Sequence, residues 1–123
     1  MIKQLLLVGA GGGLGSMARY LVSALTARFG GSFPLATFFV NMTGCILIGL
    51  LVGLSERYGV IDRNVRLLLV TGFCGGYTTF STFSLENIRL LESHQYALLA
   101  IYASGSLLIG IAAAALGFFL SKL

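Results

Sequence analysis

The sequence predicts an all-α membrane protein of four spanning helices with a break in the third, and three observations lead there. Hydrophobic residues fill 57% of the 123 positions and charged residues only 10%, with a mean hydropathy of +0.95. Soluble domains carry about 25% charged residues. Four stretches lack charge altogether: Leu5 to Ala18, Phe29 to Ser55, Leu67 to Leu85 and Gln95 to Ser121. About 20 residues cross the hydrocarbon core, so the last three suffice alone and the first does so when Arg19 lies near a helix end. Finally, the segment Thr71 to Glu86 carries the pair Gly75-Gly76, then Tyr77, Thr78, Thr79, Ser81 and Thr82, with Phe80 and Phe83 three residues apart. Backbone free to leave a helix at that depth is tolerated only when buried in protein or lining a watery cavity. This segment is the candidate site.

The expected helices cover residues 2–28, 34–54, 65–91 and 96–120, within a single domain, 1–123. The first contains Val8-Gly-Ala-Gly-Gly-Gly-Leu-Gly15, preceded by Leu5-Leu-Leu. A dinucleotide loop is excluded there, because Leu14 stands where G-x-G-x-x-G needs glycine and the first acid of the chain is Glu56. The surviving reading is packing: Gly9 to Gly13 and Gly11 to Gly15 are four-residue small spacings that let helices approach closely in lipid. Arg19 follows one turn later, as a snorkelling interfacial cation or as the positive wall of a vestibule. Met1-Ile-Lys3 and Ala24 to Ala27 imitate a signal peptide, but cleavage would remove the most glycine-rich helix, so the segment is expected to stay.

Pro34, the only proline, suits the first turn of the second helix. Thr37, Asn41 and Cys45 then recur every four residues on one face, as interhelical glue or as a polar pathway. Ser55 to Asn64 reads as a solvated loop. Cys45 and Cys74 show neither CxxC nor metal spacing. His94 has no partner set in the short loop before the fourth helix, on which Tyr102, Ser106 and Gly110 form a second stripe.

With four spans, Lys3, Arg57, Arg63, Arg66 and Lys122 share one side and Arg19, Arg28 and Arg89 the other. That bias is weak under the positive-inside rule, so insertion in both orientations is expected. Nucleic-acid binding would need a basic face, and none is visible. Mid-membrane carboxylate pairs, activated nucleophiles and metal clusters are missing from the pattern, which argues against an enzyme. A proton-coupled exporter needs a titratable acid within a span, and Glu86 is expected toward a helix end. What remains is a path of hydroxyls, an amide and rings. Phenyl rings have a positive edge that suits an anion, although two phenylalanines at i, i+3 also simply pack.

Three motifs then converge: Gly12-Gly-Leu-Gly-Ser-Met-Ala-Arg-Tyr20, Asn41-Met-Thr-Gly44 and Thr71-Gly-Phe-Cys-Gly-Gly-Tyr-Thr-Thr-Phe-Ser-Thr-Phe-Ser84. In order and spacing they resemble the Fluc (CrcB) family of bacterial fluoride channels, over essentially the whole chain. The resemblance implies a multi-pass protein of the bacterial inner membrane, assembled as a dual-topology, antiparallel homodimer with two pores. It implies a fluoride path along the edges of Phe80 and Phe83, with Ser81 and Thr82 beside them and Asn41 as the donor amide. Thr37 on the Asn41 face and a hydroxyl track of Tyr102 and Ser106 would extend the path, while Gly110 offers no hydroxyl. Arg19 would be a vestibule arginine. A structural sodium ion (Na+) at the dimer centre would be held by the backbone carbonyls of Gly75 and Thr78.

Overall fold

The computed structural model describes residues 1–123. Its helices are α1 (Ile2–Thr26), α2 (Leu35–Tyr58), α3 (Arg63–Arg66), α4 (Gly75–Tyr77), α5 (Phe80–Glu92) and α6 (Tyr96–Leu120). A 3₁₀ turn, Ala27–Phe29, extends α1, and a π-helical stretch, Leu67–Cys74, joins α3 to α4. In space these are four rods, the third being α3, the π stretch and α4, then a break, then α5. Three rods are long and apolar enough to cross a membrane, namely Ile2–Phe29, Leu35–Tyr58 and Tyr96–Leu120. The third rod lacks one continuous helix of that length because its backbone turns extended at Thr78 and Thr79. The chain is a multi-pass membrane protein.

Local chemistry accounts for each boundary. Pro34 caps α2 from outside its first turn, with φ −75°. The helix runs four residues beyond the expected Leu54, absorbing the start of the segment expected to be a loop. Ser55 to Tyr58 do not oppose helix, and the stop comes at Gly59, whose left-handed φ of 63° closes a bond to the Ser55 carbonyl at 3.0 Å. Asp62 opens α3 by accepting from the Val65 amide at 2.8 Å. At the end of α5, His94 takes φ 59°, with its amide on the Leu91 carbonyl and that of Gln95 on the Leu90 carbonyl. This is a Schellman closure, and it assigns His94 a structural place.

Two close helix pairs build the interior. α2 lies along α6, and α1 lies along the π stretch. In the first pair, a side chain at Gly49 would strike the Ala114 carbonyl and one at Gly117 the Ile46 carbonyl. In the second, Gly11 and Gly15 face the carbonyls of Leu68 and Phe73 with no room for a Cβ. The expected spacing from Gly11 to Gly15 is therefore a packing ridge. The spacing from Gly9 to Gly13 is not, because neither has anything within 4 Å of an added Cβ. An α-helix turns about 100° per residue, so the two-residue offset between the pairs puts Gly9 and Gly13 on the opposite face from Gly11 and Gly15.

Candidate functional site at the break in the third rod

At the break a side chain replaces the helical hydrogen bonds that Thr79 gives up, while the Thr78 amide keeps its bond to the Cys74 carbonyl at 3.0 Å. Asn41, on α2, grips Thr79 twice: its Oδ1 accepts from the Thr79 amide at 2.8 Å and its Nδ2 donates to the Thr79 carbonyl at 3.1 Å. The Thr79 hydroxyl accepts from the Thr82 amide at 3.2 Å and so caps α5. The Thr78 hydroxyl turns back to the Cys74 carbonyl at 2.8 Å, and Tyr77 OH lies 2.9 Å from Thr43 Oγ1. On the α1 side, Arg19 Nε donates to the Gly76 carbonyl at 3.1 Å, with Ser16 Oγ at 3.5 Å from the same oxygen.

These substitutions divert two amides. In a continuous helix the Thr79 amide would serve the Gly75 carbonyl and the Thr82 amide that of Thr78. Here one goes to Asn41 and the other to the Thr79 hydroxyl. Gly75 and Thr78 both line the same open groove, and an added Cβ at Gly75 would meet nothing within 4 Å.

That groove has a volume of about 780 Å³ and is lined by Asn41, Phe80, Phe83 and Ser106 besides the two carbonyl residues. Phe80 is 78% exposed, its ring centroid 5.7 Å from that of Phe83 at 41°. Phe83 rests in turn on Tyr102, 5.0 Å away. Ser106 Oγ is buried without a hydrogen-bond partner. A second cavity, about 290 Å³, opens on the α1 side between Ser16, Arg19, Thr37 and Thr82. Thr79 lines both.

Thr37 and Tyr102 are placed differently from Asn41. Thr37 Oγ1 donates to Glu86 Oε2 and Tyr102 OH to Glu86 Oε1, each at 2.9 Å. Tyr102 is 1% exposed, so its hydroxyl has become an interior link from α6 to α5. Glu86 lines neither cavity; it is half-buried and reached from two other helices. Its offset of three from Phe83 puts it on the same face of α5, a signal present in the sequence. Ser81 sits on the exposed side, 3.3 Å from Thr79 Oγ1.

Residues 6–118 match the family described as CrcB-like protein, Camphor Resistance (CrcB). A relative from Azobacteroides pseudotrichonymphae, named fluoride-specific ion channel FluC, is 48% identical over 99% of this chain and 98% of its own. Proteins of the same name from Phocaeicola vulgatus and Flavobacterium psychrophilum are 46% and 42% identical, over 98% of this chain and 100% and 98% of theirs. With the match spanning all four rods and the break, the chain belongs to the CrcB family.

Proposed function

We propose that this protein is a passive, fluoride-selective ion channel rather than an enzyme. The observation that carries the reading is the pair of cavities that share Thr79 and present hydroxyls, one amide and phenyl rings among apolar side chains, in a chain whose relatives bear the fluoride-channel name. An anion leaving water there forfeits tens of kcal/mol on a Born estimate and needs many partial replacements. Asn41 Nδ2 has a second N–H beyond the one given to Thr79, and the Ser106 hydroxyl has no partner to give up. Phe80 and Phe83 supply ring edges between them.

The functional unit is a homodimer of antiparallel subunits with two pores. Extended backbone at Thr78 and Thr79 cannot face lipid, so the 780 Å³ groove, which both residues line, is covered by a second copy. The weak charge bias between the two ends permits both insertions. A sodium ion at the dimer centre fits the donor set: hard cations take oxygen ligands, and the carbonyls of Gly75 and Thr78 are those whose helical amides are diverted. Bound there, it would add positive charge beside the anion path. Fluoride entering a cell as the neutral acid dissociates inside, and a passive path then lets it out.

Purified protein in liposomes loaded with fluoride and chloride tests this. Fluoride efflux with chloride retained is expected, and the absence of fluoride efflux overturns the reading. The position of Glu86 favours one rival, a proton-coupled exporter. That rival requires a pH gradient to drive transport and Glu86→Gln to abolish it, whereas the channel needs no pH gradient.

A further inference from the structure

We infer that Arg19 is a positioning residue for the cation site, acting through the Gly76 carbonyl, in addition to lending charge to the vestibule. The inference rests on the sodium reading above. The Gly76 carbonyl is stranded by the break: its helical donor would be the Phe80 amide, which lies beyond two extended residues. Arg19 Nε supplies the replacement at 3.1 Å. An orphaned carbonyl at membrane depth needs such a donor, and a cationic one binds it more strongly than a neutral one.

The consequence lies in the peptide's direction. Gly76 stands between Gly75 and Thr78, which line the groove, yet its own oxygen is drawn toward α1 and the Arg19 cavity. Behind it, an added Cβ would strike the Gly12 carbonyl, so the segment has no slack on that side. The guanidinium and the α1 backbone therefore fix the turn that leaves Gly75 and Thr78 facing the groove. Lysine retains the charge but has no fork with an Nε to share between this carbonyl and the vestibule.

The test compares Arg19→Lys and Arg19→Gln with the parent protein, each reconstituted as the full-length chain and checked for dimer by size exclusion. The first readout is the sodium concentration that produces a fixed rise in melting temperature, with potassium held as the balancing cation. Both variants are expected to need about tenfold more sodium for the same rise, since stabilisation grows with the logarithm of one plus the ligand concentration over its Kd. At saturating sodium, Gln is expected to lose more fluoride efflux than Lys, which separates charge from positioning. A Lys variant with parental sodium dependence overturns the inference. The second readout is hydrogen exchange of the Thr78 to Thr82 amides, expected to quicken in both variants and measured without sodium. If the parent shows no sodium response, the sodium reading fails and with it the cation-site role, whatever the exchange shows. Parental exchange in both variants removes the clamp itself.

Discussion

Asn41 holds Thr79 by both its amide and its carbonyl, so one side chain stands in for a neighbouring stretch of backbone. Substitution by alanine leaves that N–H and C=O without partners in a part-buried position, at about 1–3 kcal/mol for each group. Asn41→Ala is expected to lower the melting temperature and abolish fluoride efflux together. Asn41→Asp keeps the acceptor for the Thr79 amide but loses the donor to its carbonyl. It should therefore be more stable than the alanine variant and still fail to conduct. Aspartate and alanine variants of equal stability would show that the Thr79 amide does not depend on Asn41.

The glycines of α1 give a matched contrast. Gly15→Ala places a methyl against the Phe73 carbonyl and should destabilise strongly, because both neighbours are backbone. Gly9→Ala meets open space and gains helix propensity, roughly 1 kcal/mol in the favourable direction. Thermal melting in detergent reads both. A destabilised Gly9→Ala would mean that a second subunit, not lipid, covers that face.

Much of this architecture was legible because composition and charge-free length respond to the bilayer alone. The break was legible too, since Gly75-Gly76 and the hydroxyls after it have no place in an ordinary span. What stayed hidden depended on pairs distant in sequence. Nothing in the spacing of Thr37, Glu86 and Tyr102 says that three helices converge on one carboxylate. Likewise Gly49 and Gly117 are unremarkable alone and become a ridge only when α2 lies against α6.

Glu86 can be tested by a double-mutant cycle with Tyr102. Glu86→Ala leaves the buried Tyr102 hydroxyl without its acceptor, at about 1–3 kcal/mol, and Tyr102→Phe removes the same bond from the other end. The double variant should cost less than the sum of the singles by roughly 0.5–3 kcal/mol, the interaction being counted once. Denaturant titration provides the values. Strict additivity would dissolve the link between α5 and α6. Efflux driven equally with and without a pH gradient in Glu86→Gln would further separate the channel from the exporter.

Phe80 and Phe83 should differ in stability while sharing a functional loss. Phe80 is mostly exposed within its own chain and touches the Phe83 ring, whereas Phe83 is also braced by Tyr102. Aromatic pairs contribute about 0.5–1.5 kcal/mol beyond area burial, so Phe83→Ile forfeits two such contacts and Phe80→Ile one. Both substitutions keep apolar bulk and remove the ring edge, so both should impair fluoride efflux. Melting curves should show the larger drop for Phe83→Ile, and reconstituted dimers should still form. Parental efflux from both variants would remove the rings from the path, whatever their effect on stability.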